Sequence, residues 1–515
     1  MTASGTGFAL AIDLCDEDAT RRLAEDIALA LRAGDVVALA GDLGAGKTTL
    51  ARAILRTLAD DPDLEVPSPT FTLVQDYPLR RFAVFHFDLY RIGSPEDLVE
   101  IGFDEACRSG AVLVEWPDKA GDLLPADALR VDLSEGAGPD GRRARLSAPA
   151  GRFSERLARS AAIRDFLAGA GWGGAARRYL QGDASTRAYE RVRLGEAGRI
   201  LMDQPAEADD EAGRSRVAAL RAAKLAEDTR PFHAFALGLA ACGFSVPEIH
   251  AHDPERGFML IEDLGREVCI EGDPPAPVRE RYRVAVEVLA ALHGMDLPTV
   301  LPDGTGGTYA IPRLERRNLV AEVTILLDWG IPYLLGRPTT GEERESFLAV
   351  WEPLFDEILA GPATWCLRDY HSPNILWLPE REGLRRLGIL DFQDAALGHP
   401  AYDVASLAQD ARITVPAEIE AELLAHYVAL RAAADPAFDA AAFRRAYMIL
   451  AAQRSTRLVG QFVRLLRRDG KPGYMRHYPR LWEYLGRILG EEVLRPLKLW
   501  YDARVPEAAR SGPGA

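Results

Sequence analysis

The sequence predicts an α/β domain followed by an α+β domain of two lobes, on three observations. At 515 residues the chain is too long for one ordinary core. Its first third alternates apolar runs with helical patterns, the signature of a largely parallel sheet faced by helices. From about residue 175 short strand candidates come first and a helix-rich remainder follows.

Hydrophobic residues make up 48% and charged residues 27%, the composition of an ordinary globular protein. The start, Met1-Thr2-Ala3-Ser4-Gly5, has neither the basic nor the apolar segment of a secretory signal, and no window approaches the roughly 20 apolar residues of a membrane span. The expectation is a cytoplasmic protein with no membrane partner. The cysteines at 15, 107, 242, 269 and 366 form no C-x-x-C pair, which argues against a disulfide framework or a zinc site. A net charge of −16 argues against strong direct nucleic-acid binding. Only five lysines (47, 119, 224, 471, 498) stand against 56 arginines, so each lysine can be weighed individually.

In the first domain, residues 16–33 read as an amphipathic helix stopped by Gly34. Val36 to Ala40 reads as a strand, and Gly41-Asp42-Leu43-Gly44-Ala45-Gly46-Lys47-Thr48 fits G-x-x-x-x-G-K-[ST] before a helix that starts near Thr49. Such a P-loop cradles nucleotide phosphates on backbone N–H groups. Gly41, Gly44 and Gly46 shape the turn, Lys47 reaches the phosphates and Thr48 is placed for Mg²⁺. Further strands at 72–77, 82–88 and 111–116 follow, with a short helix opening at Pro95. The last two strands end in Asp88 and Glu115. If they adjoin the P-loop strand, these carboxylates become metal- or water-orienting groups, with ATP and Mg²⁺ as the expected cofactors.

Gly41 to Thr49, Ser68-Pro69-Thr70-Phe71, His86-Phe87-Asp88-Leu89-Tyr90-Arg91 and Glu115-Trp116-Pro117 resemble, in order and spacing, the bacterial TsaE family. The resemblance covers about 8–135 and implies an ATPase subunit of the machinery that makes threonylcarbamoyladenosine in tRNA, working with that pathway's other protein subunits. It also implies that Lys47, Thr48 and Thr49 bind phosphate and Mg²⁺, that Thr70 lies in a switch-like loop, that Asp88 is a metal-side carboxylate, and that Glu115 (catalytic) and Trp116 (nucleotide-binding) complete the edge. The turn-rich stretch 134–152 suggests that this domain ends near 150, with a linker over 151–164.

The second domain is expected over 165–500, its first lobe to about 264 and its second from 265, with 501–515 a tail. Strands are predicted at 188–194, 199–203, 248–251 and 258–262, and a long amphipathic helix at 279–294. Leu367-Arg368-Asp369-Tyr370-His371-Ser372-Pro373-Asn374 is followed seventeen residues after Asn374 by Asp391-Phe392 at the end of an apolar strand. This is the constellation of protein-kinase-like enzymes. Asp369 would accept the proton of a hydroxyl nucleophile, and Asn374 and Asp391 would hold Mg²⁺.

With Gly182-Asp183-Ala184-Ser185, Leu201-Met202-Asp203, Ile261-Glu262-Asp263-Leu264-Gly265 and Arg468-Asp469-Gly470-Lys471-Pro472, residues 163–495 resemble aminoglycoside-phosphotransferase-like small-molecule kinases. The match is to the type that phosphorylates N-acetylmuramate or N-acetylglucosamine at the anomeric hydroxyl, as in cell-wall sugar recycling. Glu262 is expected at the nucleotide. Three departures stand out: Leu367 precedes Arg-Asp, Gln393 replaces the glycine of D-F-G, and no lysine lies on the strand at 199–203. Arg187, metal alone or the 182–186 loop would have to hold the phosphates. Asp403 reads as an anchor for the catalytic loop. Arg454 and Arg457, one turn apart, read as a solvated face or as contacts to an anionic substrate. The leading expectation is a bifunctional fusion. The alternatives are a non-catalytic nucleotide-sensing second domain, one that phosphorylates an aminoglycoside or choline-like compound, or a P-loop domain that is itself a metabolite kinase.

Overall fold

The computed structural model describes residues 7–94, 96–138, 141–180, 187–207 and 209–510. It divides into two compact units. The first comprises residues 1–203 with His250–Asp253 and Phe258–Ile261, and the second comprises the rest.

The first unit contains β1 (Phe8–Leu14), α1 (Glu17–Ala30), β2 (Val36–Ala40), α2 (Lys47–Ala59), β3 (Val74–Pro78), β4 (Ala83–Asp88), α3 (Asp97–Glu100), α4 (Phe103–Ser109), β5 (Ala111–Glu115), β6 (Leu129–Glu135) and β7 (Arg142–Ala148). The strands form one seven-stranded sheet in the order β1-β7-β6-β2-β5-β4-β3. β2 runs parallel to β5 and β6, and β4 parallel to β5, while β1, β3 and β7 pair antiparallel at the flanks. β2 and β5 are buried at every position, as parallel strands covered on both faces must be. One core lies under α1 and α2, and another gathers Phe87, Leu98, Phe103 and Val114 on the opposite face. The α/β class is as predicted.

The segment expected as a linker, 151–164, is most of an 18-residue helix, α5 (Arg152–Gly169). Its apolar side chains recur at helical spacing, and each half has its own core. Phe153 and Leu157 pack with the P-loop domain, whereas Ile163, Phe166 and Leu167 pack with the next sheet. That sheet is formed by β8 (Ala176–Leu180), β9 (Ala188–Leu194), β10 (Ala197–Asp203), β11 (Ile249–Asp253) and β12 (Phe258–Glu262), in the order β11-β12-β10-β9-β8. The Gly182 to Thr186 motif and Pro95 lie outside the described residues.

The second unit is mainly helical: α6 (Glu211–Ala223), α7 (Arg230–Ala241), α8 (Arg279–Leu292), α9 (Arg316–Ile325), α10 (Ile331–Leu335), α11 (Gly341–Ala360), α12 (Ala401–Ala408), α13 (Ala417–Ala434) and α14 (Ala440–Arg467), with helices over 478–488 and 495–504 beyond. Two short antiparallel pairs, Thr364–Cys366 with Ala396–Gly398 and Ile375–Trp377 with Leu387–Ile389, frame the catalytic-loop sequence. Among the described residues one helical run, 316–335, has the length and hydropathy of a membrane span. It is a core element instead, since it packs on α14 and carries Glu322 into ion pairs with Arg368 and Arg457. The expected tail starts too early at 501. Tyr501 and Val505 are fully buried, and the Tyr501 hydroxyl lies 2.8 Å from that of Thr456.

Two candidate nucleotide sites

At the first site, Gly41 and Gly46 have φ of 136° and 101°, and a Cβ on Gly41 would come within 2.3 Å of the Leu133 carbonyl oxygen, so the turn requires glycine there. Gly44 is also left-handed, and Gly46 caps the N-terminus of α2, which opens on Lys47, Thr48 and Thr49. Strands β2, β5 and β4 are neighbours, so the carboxylates predicted at strand ends meet the P-loop. Glu115 stands opposite Leu39 on one side and Asp88 on the other. Thr48 donates its hydroxyl to Glu115 Oε2 at 2.9 Å. Asp88 accepts from the Thr70 hydroxyl at 2.6 Å and the Tyr90 N–H at 3.0 Å. Thr70 therefore links its loop to the site.

Lys47 is buried. Its ammonium donates to the Gly41 and Asp42 carbonyls at 2.7 and 2.8 Å and lies 3.7 Å from the centre of the Trp116 ring. Burial pushes its pKa below the usual lysine value, and Glu115, Asp88 and Asp42 oppose that shift. Trp116 holds a left-handed φ of 60° and packs at 5.1 Å against Tyr90, which fixes the ring beneath the lysine. The sequence reading missed one partner. His86 Nε2 lies 2.9 Å from Glu115 Oε1, and both residues are buried. The signal was present in His86-Phe87-Asp88, since residues two apart on a strand share a face.

In the second unit Asp369, Asn374 and Asp391 come together. The Asn374 amide nitrogen donates to the Asp369 carbonyl oxygen at 2.9 Å and to Asp391 Oδ2 at 3.2 Å, and Gln393 donates to Asp391 Oδ1 at 2.6 Å. Gln393, in the glycine position of D-F-G, thus orients the Asp391 carboxylate. Asp403 anchors the loop as expected: it is fully buried and accepts from the N–H groups of Leu367 and Arg368 at 2.7 and 2.8 Å. Glu262 stays outside this cluster, its carboxylate engaged by Arg381 at 2.6 Å and the Glu248 N–H at 3.2 Å. Lys224 is the left-handed C-cap of α6.

Arg454 and Arg457 are not a solvated face. Arg457 bonds the Tyr402 hydroxyl at 2.9 Å and Glu322 at 3.3 Å, and Arg454 donates to the Gln409 carbonyl at 3.1 Å. Burial alone would raise the Glu322 pKa, but Arg457, Arg368 and the Gln453 amide reverse this and hold it below the usual range. His371 is driven well below the usual histidine range, first by burial and then by Arg412, Arg454 and Arg457, so it is neutral.

No cluster of three or more His, Cys, Asp or Glu that could hold a metal occurs among the described residues. Each site offers few oxygen ligands, which suits Mg²⁺ shared with nucleotide phosphates rather than caged by protein.

These features define a P-loop ATPase domain joined to a phosphotransferase domain of the kinase type. A family model described as "Threonylcarbamoyl adenosine biosynthesis protein TsaE" matches residues 14–144, and one described as "Phosphotransferase enzyme family" matches 176–443. The chain belongs to the phosphotransferase enzyme family, and its N-terminal part belongs to the TsaE family. An "N-acetylmuramate/N-acetylglucosamine kinase" of Caulobacter vibrioides is 40% identical over 370 residues, covering 69% of this chain and 99% of that one. A protein of the same description from Pseudomonas aeruginosa is 32% identical over 307 residues, 59% of this chain and 80% of that one. A "tRNA threonylcarbamoyladenosine biosynthesis protein TsaE" of Rickettsia felis is 40% identical over 120 residues, 23% of this chain and 70% of that one.

Proposed function

We propose that the chain is a bifunctional cytoplasmic enzyme: an ATPase subunit of the tRNA threonylcarbamoyladenosine (A37) machinery fused to an ATP-dependent kinase for the anomeric hydroxyl of N-acetylmuramate or N-acetylglucosamine. The observation that carries the kinase half is the hydrogen-bonded cluster of Asp369, Asn374 and Asp391, kept intact in a chain 40% identical to a kinase of that description. In this reading Asp369 accepts the proton of the attacking hydroxyl. Asn374 and Asp391 hold Mg²⁺, which supplies charge neutralisation at the phosphates when bound. The buried Arg454 and the partly buried Arg457 favour a substrate with its own carboxylate, such as N-acetylmuramate.

At the P-loop, Lys47 and the α2 N-terminus would bind the ATP phosphates, Thr48 and Asp88 would hold Mg²⁺, and Glu115 would orient the attacking water. The partners are the other protein subunits of the tRNA-modifying machinery, without strong direct RNA binding by this acidic chain.

The test is ADP release by full-length protein across a panel of amino sugars, aminoglycosides and choline, beside Lys47→Ala and Asp369→Asn. Amino-sugar-dependent turnover lost in Asp369→Asn supports the reading. No turnover with any amino sugar overturns the kinase half.

A further inference from the structure

The strand that opens the phosphotransferase sheet is held, residue by residue, by the P-loop domain. Arg177 on β8 is fully buried, and its guanidinium grips Glu190 of β9 with two bonds of 2.7 and 2.9 Å. A third nitrogen of the same side chain donates to Asp26 of α1 at 2.8 Å and to the Ser160 hydroxyl of α5 at 3.0 Å, while the Arg177 backbone N–H donates to Glu25 of α1 at 3.0 Å. Arg164 of α5 closes the cluster, bonding Asp26 at 2.6 Å and the Ala175 carbonyl at 2.6 Å. The next residue, Arg178, pairs at 2.7 Å with Asp60, the C-cap of the P-loop helix α2. The residue after that, Tyr179, lies under the Arg81 guanidinium at 4.6 Å, and Arg81 in turn donates to the Ala28 and Leu31 carbonyls at the end of α1.

We propose that the P-loop domain is the foundation of the phosphotransferase sheet, and that Arg177 is a positioning residue through which α1 fixes the β8–β9 hairpin. Three points carry this beyond a chance contact. A fully buried guanidinium is tolerated only where carboxylates and hydrogen bonds satisfy it, and of the two carboxylates that it meets, Asp26 belongs to the P-loop domain, as does Glu25, which takes the Arg177 backbone N–H. Helix α5 has one half in each core, so the two domains share an element rather than a tether. Both helices that flank the P-loop strand reach β8, α1 through Glu25 and Asp26 and α2 through its C-cap Asp60. Burial pushes the Glu25 carboxyl above its usual range and the Arg177 N–H works against that shift, as expected of a desolvated cluster.

The activity readout of this proposal rests on the kinase reading above, but its structural readout does not. The experiment uses full-length protein with Asp26→Ala, Arg177→Met and the double variant, following backbone hydrogen exchange over 176–194 and the KM for ATP in amino-sugar phosphorylation. Each single variant is expected to speed exchange across β8 and β9 at least tenfold. Each should also raise KM for ATP severalfold with kcat within twofold, and the double variant should match the singles. Exchange and KM unchanged in folded Asp26→Ala, or single effects that multiply in the double variant, overturn the clamp.

The exposed pair provides a milder arm in case the buried variants unfold. Asp60→Arg should loosen β8 exchange twofold to fivefold and Asp60→Arg with Arg178→Asp should restore it; failure of either overturns the proposal. If no sugar is phosphorylated by the unaltered protein, the kinase reading fails while hydrogen exchange still decides the clamp.

Discussion

Glu115 divides its carboxylate between His86, at 2.9 Å from Oε1, and the hydroxyl of Thr48, at 2.9 Å from Oε2. The imidazole therefore sets the direction in which the carboxylate faces the P-loop. Replacing His86 with Ala removes that orientation while leaving Lys47, Thr48 and the cradle intact. The expected outcome is a fall in kcat for ATP hydrolysis, measured with the partner subunits present, of about ten- to a hundredfold with little change in ATP affinity. A loss of nucleotide binding instead would mean that His86 supports the fold of the cradle.

Lys47 and Asp369 belong to different compact units. Lys47→Ala should abolish hydrolysis at the P-loop and leave sugar phosphorylation within about twofold. Asp369→Asn should lower sugar phosphorylation by about a thousandfold while ATP still binds. The measurement is both activities on both variants. Joint loss in either variant would show that the chain contains one working nucleotide site.

Asp403 holds the catalytic loop by its backbone, accepting two N–H groups at 2.7 and 2.8 Å and lying 3.3 Å from the Cys366 sulfur. Asp403→Ala strands those donors in a dry interior. It should destabilise the second unit by about 2–5 kcal/mol and abolish phosphotransfer even where the protein remains folded. Differential scanning calorimetry beside the sugar assay checks both effects, and hydrolysis at the P-loop should survive.

What was legible in the sequence is what the chemistry fixes over short distances. The phosphate cradle from Gly41 to Thr48 and the Asp369 to Asn374 spacing are local patterns, and both fold as read. Asp88 and Glu115 were readable as strand ends, but their pairing across β4 and β5 depends on strand order, which no local pattern states. For the same reason His86 was read as part of a motif and not as the partner of Glu115. For Arg454 and Arg457 the sequence leaves two readings open, because helical spacing of charges is identical for a solvated face and for a cluster turned inward. Only the position of Glu322, more than 130 residues away, distinguishes them. Helix α5 falls in the stretch expected as a linker, and no local pattern says that its two halves serve different cores.

Acid should weaken the second unit in a window set by His399, which is buried, and His477, which is partly so. His399 is held down to about 4, chiefly by burial and then by His293, and its Nδ1 accepts the Ala401 N–H, which requires the neutral ring. His477 is likewise lowered to about 4, by burial first and then by the arginines around it. The unfolded chain takes up these protons near 6.5, whereas the folded protein takes them up only near 4. The unfolded state therefore binds more protons throughout the interval, and stability falls as pH drops from 6.5 towards 4. Glu343, lowered to about 2 mainly by its bond to Arg337, adds to the loss only once its unfolded-state value of 4.5 is approached. Between pH 6.5 and 5 the slope therefore belongs to the histidines. Urea unfolding of the full-length protein followed across that interval should show a steady loss of stability, and His399→Gln should make the slope shallower while His477 keeps the remainder. An unchanged slope in His399→Gln would mean that His399 is protonated in the folded protein at neutral pH, against both its burial and its role as a hydrogen-bond acceptor.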